Sequence, residues 1–342
     1  MRSSGMSVTV TEVRDRAAWD RAVSGLGGHP LQLWGWGSVK EGGPWTARRI
    51  QVADANGAVV GLAQVLVRHL PAPFKALAYV PRGPVVGPDG VGSDDDRAAV
   101  AHAVVDWCTQ NAGAIGVTFE PDWAAGTALG LPAARPGRNT ILYPSTLILD
   151  LGREPDALLA DMRKSTRYEI RKAARDGLVI RRITTQEEVR QVLDVYRTTA
   201  QRAGFVLHDD EYYLAVHREL GDASRLVSAF DEDGNPCCFA WAVASGETAF
   251  LLYGGANEAG RRLRATAAVY WASIEDARAK GVRRYDLNGL LNDGIGEFKR
   301  SFAKHEDELV GSWDVPLNRP LYALWERALP AAKKAVRAVR SR

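Results

Sequence analysis

A lysine beside an aromatic residue is the clearest chemical feature of this 342-residue chain. Lys299 directly follows Phe298 in the segment GIGEFKRSF. An ammonium held next to an aromatic ring by cation–π attraction can stabilise a phosphate, or an oxygen that gains negative charge during a reaction. A lysine in an ordinary surface loop is the alternative interpretation of this pair.

Other kinds of catalytic centre are not indicated by the sequence. The three cysteines include the adjacent pair Cys237 and Cys238, and their spacing fits neither a disulfide framework nor a zinc site. No nucleophile elbow or Cys-His pair is present, so we expect no covalent enzyme intermediate and no metal site. Without an apolar leader or a long apolar run, the sequence predicts a cytoplasmic protein.

Positive charge is concentrated in two segments, although the net charge is only +3. The first segment lies between residues 163 and 175, where Glu169 is the only acid. The second follows Glu326 and contains basic residues without any acid. Such basic faces bind phosphate backbones or anionic membranes, and a solvated helix surface is the alternative.

The elements that must position these residues occur twice in the same order. The first copy comprises TARRIQVA, a turn at 54–57, AVVGLAQVLVRHL, ALAYVPRGPVV, a helix over 93–111 and AIGVTFEP. The second comprises SRLVSAF, a turn at 231–235, CCFAWAVASG, TAFLLYGGAN, a helix over 266–281 and VRRYDLNGL. Asn-Gly and Asp-Gly turns between β-rich runs indicate hairpins.

This repeated order is that of a GNAT-type acyltransferase lobe. It predicts an α/β (α+β) fold of two tandem GNAT-like lobes with a ligand cleft between them. Chance similarity of two common α/β patterns is the alternative. Between the copies, the strand in YPSTLILDLG follows the linker LPAARPGRN, and we expect one helix over about 155–175 that ends at Gly177.

Several phrases between about residues 29 and 322 resemble Fem-family aminoacyltransferases in order and spacing. These are LQLWGWGSVKEGGPW, AYVPRGPVV, STLILDLG, RKSTRYEIRKAARDG, GFVLHDDEYY, AFLLYGGAN, GIGEFKRSF and GSWDVPLN. The resemblance implies transfer of an amino acid, with glycine favoured, from aminoacyl-tRNA to a stem-peptide amine of lipid II or a UDP-linked peptidoglycan precursor. Aminoacyl-tRNA is the co-substrate, and no cofactor is implied. Because 176–254 lacks heptads, the chain is similar to the compact FemX-like form without a coiled-coil arm.

The resemblance also implies a division of the chain. Residues 1–145 with about 315–342 form the first, acceptor-side lobe, and 146–314 form the second, donor-side lobe. The chain end carries an apolar stripe: Leu321, Trp325, Ala328, Leu329, Ala332, Val336 and Val339. Its first half is expected to pack on the first lobe, and contact of the last turn with the cytoplasmic membrane face stays open.

Roles for individual residues follow from the resemblance. Lys299 and Phe298 match the donor-side catalytic pair of the family, and Lys40 matches a lysine that meets acceptor phosphate. His208 stands where the family often has arginine. Tyr212 and Tyr253 resemble acceptor-site tyrosines, with structural burial as the alternative for both. Tyr79 and Arg82 are expected at a strand end over the proposed cleft, as further substrate-binding positions. The residues expected to follow tRNA phosphates are Arg163, Lys164, Arg167 and Arg171.

Three points stay open at the level of sequence. Asp89 is at most a displaced equivalent of an acidic residue found in some relatives, so no general base is assigned. An acetyl-CoA-dependent enzyme is disfavoured, because NEAGRR is a poor pyrophosphate loop. A Fem-like enzyme that acts on an antibiotic or another small-molecule amine is one alternative, and a non-catalytic RNA-binding protein is the other.

Overall fold

A computed structural model describes residues 7–328, which form two compact units. The first unit contains residues 7–16, 40–142 and 310–328 of the described chain, and the second contains 17–39 and 143–309. Each unit is built around its own sheet with helices packed against it, which confirms the predicted α/β class.

The elements of the described chain have the following bounds. The helices are α1 Arg16–Gly25, α2 Trp34–Glu41, α3 Asp94–Asn111, α4 Pro155–Asp161, α5 Lys164–Arg175, α6 Gln186–Ala203, α7 Asp210–Leu220, α8 Glu258–Arg262, α9 Ala265–Arg278 and α10 Gly294–Arg300. The strands are β1 Thr9–Glu12, β2 Thr46–Ala53, β3 Val59–His69, β4 Ala76–Pro81, β5 Val85–Val86, β6 Ala114–Glu120, β7 Arg135–Pro136, β8 Ser145–Thr146, β9 Ile148–Asp150, β10 Ile180–Arg182, β11 Ser224–Phe230, β12 Pro236–Ser245, β13 Thr248–Ala256, β14 Arg284–Asp286, β15 Asp307–Glu308 and β16 Trp313–Pro316. The helices among these described residues are all too short or too polar to span a bilayer.

The sheet of the first unit has the strand order β1-β2-β3-β4-β6-β16-β7, and β5 pairs with β3. The neighbours β4 and β6 are parallel, with Pro81 opposite Glu120, and α3 connects them. Apolar residues of α3, such as Val100 and Val104, are fully buried against the sheet. The carboxyl ends of β4 and β6 therefore lie side by side at one edge.

The sheet of the second unit has the order β10-β11-β12-β13-β14-β9. Here β13 and β14 are parallel, with Phe250 opposite Asp286, and α9 lies between them in the chain. The buried face of α9 packs in the core of this unit through residues such as Val269 and Ile274. The same strand–helix–strand arrangement thus occurs in both units.

The predicted hairpin turns are present in both units and share one geometry. In the first turn, the carboxylate of Asp54 accepts hydrogen bonds from the backbone N–H groups of Asn56 and Ala58, both at 2.9 Å. In the second, Asp231 accepts from the N–H groups two and four residues later, at 3.1 and 2.9 Å. Gly57 and Gly234 occupy the left-handed region that these turns require, at φ 84° and 79°.

Residues 17–39 belong to the second unit, whereas the sequence analysis assigned them to the first lobe. The ring of His29 packs edge-on against Phe250 of β13, with centroids 4.7 Å apart. In α2, a Cβ added to Gly35 would lie 2.2 Å from the carbonyl oxygen of Glu219, so only glycine permits this approach. The assignment was wrong because local sequence does not reveal which core a short helix joins.

The single helix expected over 155–175 is two helices. The chain is extended at Met162 and Arg163, with ψ values of 155° and 148°, which ends α4 before α5 begins. The N–H of Arg163 donates to the carbonyl of Ser301 at 2.8 Å instead of to a helical partner. Ile170 and Ala173 of α5 are buried, and Gly177 follows α5 with φ 71°.

Residues 310–328 return to the first unit. A helix covers 319–328 of the described residues, and Tyr322 within it is buried on Gly116 of β6. Trp325 packs edge-on against Phe74 at 5.3 Å. Tyr322, which the predicted stripe omitted, is therefore one of the residues that pack this helix on the first unit. The remaining stripe from residue 329 onward lies outside the described residues.

Candidate active site

The predicted catalytic lysine lies in the last turn of α10 in the second unit. This helix starts at the N-cap Asp293, whose carboxylate accepts from the N–H of Gly296 at 2.7 Å. Lys299 is only 9% exposed, and its ammonium donates to the backbone carbonyls of Asn288 and Gly289, the latter at 3.1 Å. The ammonium is thus fixed in position and largely desolvated.

Burial lowers the pKa of Lys299 to about 8, while the negative charges of Asp286 and Asp293 act in the opposite direction. Near neutral pH the side chain is therefore still mostly an ammonium. A fixed positive charge in a desolvated site interacts more strongly with a developing oxyanion than a solvated lysine does. The geometry suits electrostatic stabilisation of an acyl-transfer transition state.

Phe298 does not have the role expected of it as a cation–π partner of Lys299. Its ring packs at right angles on Tyr270 at 4.9 Å and near-perpendicular to Phe302 at 5.3 Å. Consecutive residues of a helix point in different directions, so Phe298 turns toward the core while Lys299 turns toward the carbonyls. Phe298 anchors α10 and thereby fixes the position of the lysine.

The turn that binds the ammonium is held by a buried acid. Asp286 at the end of β14 is fully buried, and its Oδ1 accepts from the N–H of Asn288 at 2.7 Å and from the hydroxyl of Thr146. Asn288 and Gly289 have φ values of 58° and 30°, and the amide of Asn288 donates to the carbonyl of Leu251 at 3.1 Å. Sequence reasoning missed Asp286, although an acid that ends an apolar strand was a usable signal.

The predicted acceptor-site tyrosines lie in an aromatic cluster of the second unit. The hydroxyls of Tyr253 and Tyr212 are 3.5 Å apart, and Tyr253 also contacts the rings of Tyr196 and Tyr213. Burial, followed by the nearby tyrosines, raises the pKa of Tyr253 well above its usual value, so its hydroxyl stays protonated. This cluster offers hydroxyl groups and ring faces to a bound ligand.

His208 stands at the exposed side of this cluster. Its ring is stacked on Tyr212 with centroids 3.9 Å apart and an interplanar angle of 24°. The loop before it exposes apolar side chains, since Phe205 is 37% and Val206 89% exposed. A histidine stacked in this way has access to solvent and can approach an anionic group of a ligand.

The four cations proposed to follow RNA phosphates have different environments. Arg163 is exposed and pairs with Glu297 at 3.3 Å, and Lys164 and Arg171 are exposed on α5. Arg167 differs, because its guanidinium donates to the carbonyls of Met162 and Ala160 at 2.5 and 3.1 Å. Arg167 therefore closes the end of α4, which is a structural use that the sequence did not indicate.

In the first unit, Tyr79 and Arg82 lie at the carboxyl end of β4, and both are buried. The hydroxyl of Tyr79 donates to Glu120 at 2.5 Å, and Glu120 also accepts from the N–H groups of Ile141 and Leu142 at 2.7 and 3.0 Å. Burial raises the pKa of Glu120, opposed by these donors. Glu120 is the second buried acid that sequence reasoning missed.

Two other residues considered above lie elsewhere in the first unit. Lys40 is half-buried in the last turn of α2. Asp89 is exposed, and its carboxylate accepts from the N–H groups of Gly92 and Val91 at 2.8 and 3.0 Å, which lowers its pKa. A carboxylate engaged in a turn with a lowered pKa is a poor general base, so the structure does not favour Asp89.

Known proteins are similar to this chain in sequence and in fold. The sequence profile described as an acetyltransferase (GNAT) domain matches residues 160–300. The lipid II:glycine glycyltransferase of Staphylococcus aureus (strain USA300) is 24% identical in an alignment that covers 90% of this chain and 93% of that relative.

Solved structures share the fold. The crystal structure of FemX superimposes with a TM-score of 0.81 at 21% identity and covers 93% of this chain and 99% of its own. The C-terminal domain of a putative lysylphosphatidylglycerol synthetase from Agrobacterium fabrum gives a TM-score of 0.53 at 13% identity, over 85% of this chain and 90% of its own.

The chain is therefore an acyltransferase built on the GNAT fold. The combined similarity to the glycyltransferase and to FemX confirms the resemblance to the Fem family that the sequence motifs indicated.

Proposed function

We propose that the chain transfers an amino acid, with glycine favoured, from aminoacyl-tRNA to the stem-peptide amine of a peptidoglycan precursor. The acceptor is lipid II or its soluble UDP-linked precursor. The observation that carries the proposal is the buried Lys299 ammonium, held by two backbone carbonyls in a chain similar over 90% of its length to a lipid II:glycine glycyltransferase.

The proposed reaction is direct aminolysis of an ester. The acceptor amine attacks the carbonyl carbon of the aminoacyl ester, a C–N bond forms and negative charge develops on the carbonyl oxygen. The C–O bond to the ribose then breaks, and the proton lost by the amine balances the charge on the leaving ribose oxygen. Lys299 stabilises the developing charge, and no covalent enzyme intermediate is needed.

Binding of the two substrates draws on separate sets of residues. The cluster of Tyr212, Tyr253 and His208 supports recognition of the acceptor through hydroxyl groups and an imidazole, which is a full anion partner only as the cation. Lys40, Tyr79 and Arg82 are proposed to contribute to acceptor binding as well. On the donor side, the exposed cations Arg163, Lys164 and Arg171 supply charge for an RNA backbone. No cofactor is part of the proposed reaction.

The test is a transfer assay with purified protein and glycyl-, alanyl- and seryl-tRNA, each offered lipid II or UDP-linked pentapeptide. Lys299→Ala is compared with Lys280→Ala, an exposed lysine in the loop after α9. We expect the amino acid to be transferred to the precursor. For Lys299→Ala we expect kcat to fall by about 10²–10³-fold, as for the loss of one hydrogen-bond donor to the transition state. Lys280→Ala should retain the parental rate.

The other outcomes distinguish the alternatives. Transfer to a small-molecule amine but to neither precursor would favour an antibiotic-type acceptor, which the histidine at 208 keeps under consideration. Binding of charged tRNA without transfer to any amine would contradict the proposed function and favour an RNA-binding role. Equal rates for the two lysine variants would remove Lys299 from the mechanism.

A further inference from the structure

Asp286 combines complete burial with an unsatisfied oxygen. Its Oδ1 accepts two hydrogen bonds, from Asn288 N–H and from Thr146, whereas Oδ2 has no hydrogen-bond partner among the described residues. Burial of a carboxylate with one free oxygen costs free energy unless a nearby positive charge offsets it. One such charge is the ammonium of Lys299, whose pKa is raised by the negative charge of Asp286 against the effect of burial.

The turn between these two residues links them mechanically. The N–H of Asn288 bonds to Asp286, while the carbonyls of Asn288 and Gly289 accept from Lys299. Both turn residues have positive φ values, which an aspartate bonded to the chain two residues later favours. Two successive carbonyls are thereby directed at the same ammonium.

The first unit carries an acid at the equivalent position. Glu120 ends β6, the second strand of the parallel pair, and it is also completely buried. Its carboxylate also accepts hydrogen bonds from nearby backbone, namely from the N–H groups of Ile141 and Leu142. A buried acid that organises nearby backbone is thus a feature of both copies of the repeated arrangement.

We propose that Asp286 is the positioning residue of Lys299: it fixes the 288–289 turn whose carbonyls bind the ammonium, and it supplies a negative charge to this site. The role in transfer rests on the proposed function, whereas the effect on the charge of Lys299 does not. Other groups face this pair. Asp293 acts on Lys299 from the start of α10, and a ring nitrogen of His29 lies within 4.8 Å of a carboxylate oxygen of Asp286.

The first experiment measures the charge of Lys299 directly. Protein labelled with ¹³C at lysine Cε is titrated between pH 6 and 11 by NMR at several pH values (roughly one unit apart or closer), and Lys299→Met identifies the signal of Lys299. Asp286→Asn retains an oxygen that can accept from Asn288 N–H but removes the negative charge. The matched control is Asp276→Asn, which removes another partly buried carboxylate, the partner of Arg225 at 2.6 Å.

We expect the titration midpoint of Lys299 to fall by about one pH unit in Asp286→Asn, a tenfold change in its protonation equilibrium. The alkaline limb of kcat should move to lower pH by the same amount, with little change in KM. Asp276→Asn should lose stability without moving the titration midpoint of Lys299 or the alkaline limb of kcat. A parental midpoint in folded Asp286→Asn would overturn the proposal, even if no acyl transfer were ever detected.

A second pair of variants tests the turn in case Asp286→Asn does not fold. Asn288→Gly tolerates the positive φ, whereas Asn288→Val does not. We expect the titration midpoint of Lys299 to lie lower, and kcat to fall further, in the valine variant than in the glycine variant. If the two variants have the same midpoint and the same kcat, the turn does not position Lys299 and the proposal fails.

Discussion

At the scale of single residues, the buried ammonium of Lys299 links stability to function. A lysine with a pKa of about 8 in the folded chain holds its proton less tightly than the same lysine in the unfolded chain, where the usual value is 10.5. The folded state therefore gives up stability to keep a positive charge where the reaction is proposed to need it. The hydrogen bonds to two carbonyls limit this cost but do not abolish it.

This linkage predicts how stability depends on pH. Between about pH 8 and 10.5 the unfolded state binds more protons at Lys299 than the folded state does. The free energy of unfolding contributed by this residue should therefore rise with pH in that window, by up to about 1.4 kcal/mol per pH unit. Urea unfolding of the parent and of Lys299→Met at about one-unit steps measures the difference.

The contrast between the two proteins isolates this one group. The other titratable groups are present in both proteins, so their contributions cancel in the difference between the two curves. The free energy of unfolding of the parent, relative to that of Lys299→Met, should increase as the pH rises above 8. A constant difference between the two proteins across the window would mean that Lys299 has an ordinary pKa.

At the scale of elements, α5 carries cations of two kinds. Arg167 is part of the fold, because its guanidinium closes the last turn of α4 through three carbonyls. Arg171 is exposed one turn later on the same helix. A basic helix read from sequence alone thus mixes a structural arginine with those available to a phosphate backbone.

The two arginines should respond differently to substitution. Arg167→Ala leaves carbonyls at the end of α4 without a donor and should reduce stability by about 1–3 kcal/mol. Arg171→Ala should leave stability within about 0.5 kcal/mol of the parent. In tRNA binding, Arg171→Ala should lower the slope of log affinity against log salt by about 1.

Thermal unfolding and filter binding at three or four salt concentrations (about 50 to 300 mM) measure these effects. If Arg167→Ala is as stable as the parent, Arg167 does not stabilise the end of α4. The proposed RNA contact at α5 fails if the salt slope of Arg171→Ala is unchanged.

At the scale of the whole molecule, the chain end completes the first unit. Strand β16 pairs with β6 and β7, and the helix over 319–328 follows it. Tyr322 lies on Gly116, where an added Cβ would come within 2.3 Å of the ring. The first unit is therefore assembled from segments about 170 residues apart in the sequence, which are the parts ending at 142 and beginning at 310.

This assembly predicts that Tyr322→Ala destabilises the first unit. Removal of a buried aromatic side chain should cost about 3–5 kcal/mol. Leu324→Ala is the matched control, since this residue of the same helix is 49% exposed and should cost less than about 0.5 kcal/mol. Hydrogen exchange at β6 and β16 measures the effect locally. Equal protection of these strands in both variants would contradict the packing of this helix on the first unit.

Much of the fold could be predicted from local patterns. The strands TARRIQVA and SRLVSAF have the bounds that the sequence indicated, and the aspartate-glycine turns between strands have the expected hairpin geometry. These features depend on neighbours within a few residues, so that hydrophobic alternation and turn chemistry suffice. The adjacency of Phe298 and Lys299 singled out the lysine, but neither α10 nor the carbonyls that bind the ammonium were predicted.

The sequence by itself thus determined the repeated α/β elements, the acyltransferase class and the lysine that is expected to take part in the reaction. Only the tertiary structure decided that residues 17–39 join the second unit, that Arg167 caps α4, and that Asp286 and Glu120 are buried at the ends of parallel strands. The first and the last of these depend on contacts between residues far apart in the chain, whereas Arg167 reaches backbone carbonyls only five to eight residues earlier, across the break between α4 and α5. Because every residue carries the same backbone groups, residue types alone do not reveal which of them meet.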